Sequence, residues 1–227
     1  MLGIDTIYWM FAIPGLLLSV FSQLYVKFAY SKYSKVDGGK GITGMRAALE
    51  IKKGEKLPVE INANQHTLGD HFDPSRNMVN LDAQSAQSTS VASVAVSSHE
   101  MGHVQQKFTS SRIYGTRRFL VPVTNIGTNV GYILFFLGLA MAKYELSKLG
   151  LIFFSTSVLF SLVTIPVELN ASSRAMKFIK KYNLVAEDKR AGARKVLNAA
   201  ALTYFAGLAT SILNLLYYAS LLGRRKD

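Results

Sequence analysis

The sequence predicts an α-rich membrane protein, with about four transmembrane helices joined to one small α+β domain. Three observations carry that expectation. Apolar residues make up 49% of the 227, and they are gathered rather than spread. Residues 7–26, 120–142, 149–167 and 199–222 contain no Asp, Glu, Lys, Arg or His. Each run approaches the ~20 residues that carry a helix across a bilayer core. Only 27–118 is polar for long enough to fold as a domain outside the bilayer. A helix buried in a soluble core would usually keep a polar stripe, which these runs lack.

Taken in order, residues 1–26 form an N-terminal membrane anchor. The run has no basic residue ahead of it, is long for a signal-peptide core, and meets Lys27 where a cleavage site would need small residues. It therefore reads as retained, with its N-terminus outside. The segment 27–118 opens on a glycine-rich turn (Gly38, Gly39, Gly41) and then shows helical spacing over 43–53, with Met45, Ala48, Leu49 and Ile51 apolar. Pro58 lies beyond its end. Residues 59–61 and 78–81 alternate as short strands, separated by a turn containing Asp73-Pro74. Ser88, Thr89 and Ser90 are N-cap candidates for a helix over about 91–108. Residues 119–198 hold a transmembrane hairpin and the segment returning from it. Residues 199–227 give a last transmembrane helix and a basic tail. Inside the second span, Asn125, Gly127, Asn129 and Gly131 suit close helix packing better than the lining of a cavity.

The formal net charge is +12, and its placement favours lipid over nucleic acid. Lys27, Lys32 and Lys35 follow the first span, Arg112, Arg117 and Arg118 precede the second, and Arg174, Lys177, Lys180 and Lys181 follow the third. Such flanks match the positive-inside rule and anionic headgroups. Segments 27–118 and 168–198 are therefore expected on the cytoplasmic side. Arg224, Arg225 and Lys226, after the fourth span, run against the rule. The chain has no cysteine, which excludes disulfides, thiolate metal sites and a cysteine nucleophile. No charge interrupts any span, which argues against an ion transporter.

The chemistry concentrates in His99-Glu100-Met101-Gly102-His103, an HExxH motif. Residues four apart share a helix face, so both imidazoles can reach one ion. Glu100 then stands beside the metal's water, where it can accept a proton. A catalytic zinc site normally takes a third protein ligand and keeps one position open. Glu145 falls on the far side of the hairpin, and Glu187 and Asp188 sit in a solvated charged stretch. Glu168, at the cytoplasmic end of the third span, is the candidate by position and type, with an ordinary interfacial charge as the alternative. His71 is either a proton donor or oxyanion stabiliser or a structural turn residue between Asp70 and Asp73, and His66 reads as surface.

The stretch Leu68-Gly-Asp-His-Phe-Asp-Pro, the strand 78–81, the helix 91–103 and Pro166-Val-Glu-Leu-Asn-Ala-Ser-Ser-Arg-Ala together resemble the YugP-type neutral zinc metallopeptidases of prokaryotic membranes. HExxH is widely shared, whereas the Asp-His-Phe-Asp-Pro and Pro-Val-Glu elements are more specific. The resemblance implies a gluzincin-like zinc-peptidase domain in 27–118 and one Zn2+ per chain. His99, His103 and Glu168 would be its ligands and Glu100 the base. Asn170 and Ser172 are candidates to support the ligands from behind. The family pattern commonly has Asp where this chain has Asn170, so that support would lack a charge. The implied activity is hydrolysis of protein or peptide substrates at the cytoplasmic membrane surface, most simply as an endopeptidase. The substrate would lie extended along 59–61 or 78–81 as an edge strand. An inactive metal-binding scaffold or chaperone-like protein is the alternative, and it gives Glu100 nothing to do.

Overall fold

The computed structural model describes residues 6–64 and 69–224. Its helices are α1 (Thr6–Tyr33), α2 (Gly44–Gly54), α3 (Ala83–Gln87), α4 (Val91–Phe108), α5 (Arg112–Ala140), α6 (Tyr144–Phe154), α7 (Thr156–Lys181) and α8 (Arg190–Gly223). Three strands, β1 (Glu60–Asn64), β2 (His71–Asp73) and β3 (Met78–Asp82), lie between α2 and α3. The chain divides into two compact units. One comprises Met1–Gln23, Thr116–Pro166 and Leu202–Asp227, and the other Leu24–Gly115 and Val167–Ala201.

The first unit is helical and apolar on its outside. Thr6–Tyr33, Arg112–Ala140, Tyr144–Lys181 and Glu187–Gly223 are each long and apolar enough to cross a membrane. Leu16, Leu17, Phe21, Ile126, Phe136, Ile152 and Leu162 point outward, exposed, a surface that suits hydrocarbon and not water. Between α5 and α6 the backbones nearly touch: a Cβ on Gly131 would lie 2.8 Å from the Phe154 nitrogen and 2.9 Å from the Gly150 oxygen. The glycine run in α5 is thus a packing device, as small residues are in membrane helices. The rings of Tyr132, Phe135, Phe154 and Tyr218 close the contact, with centroids as near as 5.0 Å.

The third span differs from the single run expected. It is broken at Ser155, between α6 and α7. Ser155 Oγ donates to the Ile152 carbonyl at 2.6 Å and Thr156 Oγ1 to that of Phe153 at 2.7 Å. These local bonds compete with the helical ladder. The link between α5 and α6 is also shorter than the sequence suggests, because Lys148 lies inside α6, where it pairs with Glu145.

The second unit is built around α4. Helix α2 begins where Thr43 accepts a hydrogen bond from the Arg46 amide, and α4 where Ser90 accepts from that of Ser93. Each such cap contributes about 1 kcal/mol. Val91, Val94, Ala95, Met101 and Val104 of α4 are wholly buried against Ile51 of α2, Val79 and Leu81 of β3, and Ile179, Leu184 and Val185 further along the chain. Fully burying one such large side chain stabilises by roughly 1.5–3 kcal/mol. A helix buried on nearly every side belongs at the centre of a core, and α4 is there.

The sheet has the order β1-β3-β2, with β1 parallel and β2 antiparallel to β3. The strand at 78–81 is therefore central and cannot be a free edge, which corrects that expectation. The edge beyond it is β2, a strand that the sequence pattern places in a turn. Asp73 Oδ1 accepts from the Ser75 and Arg76 amides at 2.8 and 3.2 Å to form the turn that follows. Lys107 of α4 donates to the Pro74 carbonyl at 2.5 Å and to Asn77 Oδ1, pinning that turn to the central helix. Asp70 accepts from the Asp82 amide (2.8 Å) and Ser85 Oγ (2.7 Å), tying the start of β2 to the short helix α3. His66 lies outside the described residues.

Candidate metal centre

Helix α4 and the part of α7 that lies in the second unit supply the site, and one glycine lets them meet. Gly102 stands inside the HExxH turn, and a Cβ there would fall 2.6 Å from the Ala171 carbonyl oxygen of α7. The bare backbone admits α7 closely enough for Glu168 to reach the α4 histidines. Glu168 Oε2 is 3.3 Å from His99 Nε2 and 3.4 Å from His103 Nε2. The imidazole planes cross at 89°. Among the described residues, these three form the cluster of His, Asp and Glu able to hold a metal ion.

The donor set fits zinc on its own geometry. Two donors each 2.0–2.1 Å from one ion, at the tetrahedral angle, stand about 3.3–3.4 Å apart. The other nitrogen of each ring is engaged elsewhere: His99 Nδ1 with Ser172 Oγ at 3.2 Å, and His103 Nδ1 with Gln106 Oε1 at 3.0 Å. Both Nε2 atoms thus face one carboxylate oxygen of a side chain only 2% exposed. Two imidazole nitrogens turned onto one buried carboxylate oxygen need a positive charge between them, either a proton on a ring or a metal cation. Zn2+ satisfies that need with ligands of the right kind.

Glu100 lies within electrostatic reach of His99 and Glu168 without joining the cluster. Its carboxylate accepts from the Phe72 amide of β2, which anchors it to the sheet edge. Burial pushes its pKa up to about 7; negative Glu168 and Asp70 push the same way, and His99 and the Phe72 amide oppose them. A carboxyl poised there can take and return a proton near neutral pH.

The remaining predicted residues fall into place unequally. Ser172 backs His99 directly. Asn170 touches neither histidine: its Oδ1 accepts from Gln106 Nε2 at 3.0 Å and Arg174 Nε at 2.8 Å. His71, on β2, engages the Gly69 carbonyl through Nδ1 at 3.0 Å and Asn80 Nδ2 through Nε2 at 3.2 Å, so both its nitrogens have partners outside the cluster. Gln106 and Phe72 were missed by sequence reasoning. Gln106 lies three residues after His103, a helical neighbour, and that spacing was the available signal. Tyr114 was missed too; it is buried, with its ring centroid 6.4 Å from that of His103.

Comparison with known proteins agrees with this geometry. Residues 8–223 match the family described as "Putative neutral zinc metallopeptidase". The chain is 38% identical over 218 residues to a Bacillus subtilis (strain 168) protein named "Putative membrane protease YugP", covering 95% of this chain and 96% of that protein. No solved structure matches. With nearly its whole length inside the match, the chain belongs to this family of neutral zinc metallopeptidases.

Proposed function

We propose that the protein is a membrane-bound zinc endopeptidase that cleaves protein or peptide substrates at the cytoplasmic face of a prokaryotic membrane. One Zn2+ per chain is held by His99, His103 and Glu168. The observation that carries this reading is the pair of 3.3 and 3.4 Å separations between the two imidazole Nε2 atoms and one Glu168 oxygen. When bound, zinc polarises a scissile carbonyl and makes water acidic enough to attack near pH 7. Glu100 takes the proton from the attacking water on its carboxylate and hands it to the departing amine nitrogen. The burial that raises its pKa makes both transfers accessible.

The substrate lies extended beside β2, the sheet edge whose Phe72 amide binds Glu100. Strand β1 forms the other edge, on the far side of β3. The cytoplasmic assignment rests on the basic residues that flank the spans, Lys27, Lys32 and Lys35 after the first and Arg174, Lys177, Lys180 and Lys181 after the third. The test is Glu100→Gln beside the parent, purified in detergent and assayed on a casein-type substrate. The variant is expected to keep zinc and lose turnover by at least ~10²-fold. Parent-like cleavage by Glu100→Gln would remove Glu100 as the base.

A further inference from the structure

The side chain behind His103 is unusual in being wholly buried, neutral and bonded on every side. Gln106 is 1% exposed. Its Nε2 donates to the Val167 carbonyl at 2.7 Å and to Asn170 Oδ1 at 3.0 Å, while its Oε1 meets His103 Nδ1 at 3.0 Å. The orientation of this amide is not free. A backbone carbonyl can only accept, so the atom facing Val167 must be the nitrogen. At the next link, Arg174 Nε can only donate, so the Asn170 atom it meets at 2.8 Å must be the oxygen. Both constraints turn Gln106 Oε1 toward His103. An oxygen there accepts, so His103 must carry a proton on Nδ1, and Nε2 is the nitrogen left to face Glu168.

We infer that Gln106 is the positioning residue of this centre: it fixes the tautomer and ring plane of His103 and, through the Val167 carbonyl, ties that ring to the backbone beside Glu168. The inference rests on the zinc-peptidase reading for its purpose, but the tautomer it specifies belongs to the metal-free chain. Among the described residues, His99 has no equivalent device. Its Nδ1 meets Ser172 Oγ, and a hydroxyl can donate or accept. The two ligands are thus held differently, one by a locked amide and one by an adjustable hydroxyl. The absent carboxylate at Asn170 also gains an explanation. Position 170 acts on His103 through Gln106, and a neutral oxygen suffices to orient a neutral amide.

The test uses the full chain in detergent micelles, with Gln106→Met as an unbranched replacement that has no hydrogen bonds to give. Nitrogen NMR of histidine-labelled, metal-free protein reads the tautomer, with His103 assigned by the signal lost in His103→Ala. The parent is expected to show His103 protonated on Nδ1, and Gln106→Met to lose that preference. Chelator competition is expected to show roughly 10–100-fold weaker zinc binding in Gln106→Met. A parent His103 without a proton on Nδ1 would overturn the inference, even if the variant does not fold. So would a folded Gln106→Met with the parent's tautomer and a zinc affinity within about twofold of it. A parent that binds no zinc would sink the metal reading, and the tautomer measurement would still decide the role of Gln106.

Discussion

Glu100 sits where a carboxylate is least comfortable, buried next to two further acids, Glu168 and Asp70, and steadied by His99 and one backbone amide. Its pKa, about 7 when folded against 4.5 for an ordinary solvated glutamate, gives a signed expectation for the metal-free protein. Between those values the folded state binds the extra proton, so stability falls as pH rises from about 4.5 through 7 and stays low above. The loss amounts to at most about 3 kcal/mol. Thermal unfolding of metal-free parent and Glu100→Gln across that window should show the parent losing stability relative to the variant with rising pH; parallel curves would contradict it. Asn170 supplies a second residue-scale expectation. Asn170→Asp keeps both accepted bonds and makes them charge-assisted, so zinc affinity should equal or exceed the parent's. Asn170→Leu removes them and should weaken binding roughly 10-fold by chelator competition. At this scale the sequence was generous with ligands and poor with their supports. The HExxH spacing announces two imidazoles and a base, but it cannot say which ring nitrogen faces the metal. Gln106 therefore stayed hidden, and Asn170, a candidate support for the ligands, bonds Gln106 and Arg174 and touches neither histidine.

At the scale of elements, the decisive contact is α4 against α7 at Gly102. Replacing a helix-interior glycine by alanine ordinarily stabilises by up to about 1 kcal/mol. At Gly102 the added carbon meets the Ala171 carbonyl at 2.6 Å, and crowding of that kind costs about 1–3 kcal/mol. Crowding wins. Gly102→Ala is expected to lower the unfolding midpoint and weaken zinc binding by displacing Glu168. Gly115→Ala on α5, where a Cβ meets nothing within 4 Å, serves as the unhindered control and should leave the midpoint unchanged or raise it. Equal effects of the two substitutions would contradict the close approach. The helices themselves were legible: Thr43 and Ser90 cap α2 and α4 where the Ser/Thr pattern and apolar spacing put their starts. The sheet was only half legible. Strand β2 is three residues long and ends in an Asp-Pro turn, too short for alternation to register. Helix α3 spans five residues behind Asp82, and is fixed by Asp70 from a distant part of the chain. Such tertiary ties leave no local period to read.

For the whole molecule, the four long apolar helices and the polar unit could be separated from charge placement alone, because a bilayer core admits few charges and a zinc site needs several. What the run of apolar residues could not reveal was the one-residue interruption at Ser155, where two hydroxyls bond back to the preceding turn while the Ser155 amide still bonds the Leu151 carbonyl. The three candidate ligands come from distant parts of the chain, His99 and His103 from one helix and Glu168 from another, so metal binding should reinforce folding of the second unit as a whole. Free zinc at 100 times its dissociation constant should stabilise the protein by about 2.7 kcal/mol, seen as a rise in unfolding temperature. A rise of the same size in the protein lacking Glu168 would show that the third ligand is not part of the site. The most direct test of the central claim is metal content joined to X-ray absorption at the zinc edge, on detergent-purified protein never exposed to chelator. One zinc per chain, with two imidazole nitrogens and a carboxylate oxygen in its shell, and its loss in Glu168→Ala, is the expected result. A parent without zinc, or a Glu168→Ala protein with an unchanged zinc shell, would contradict it.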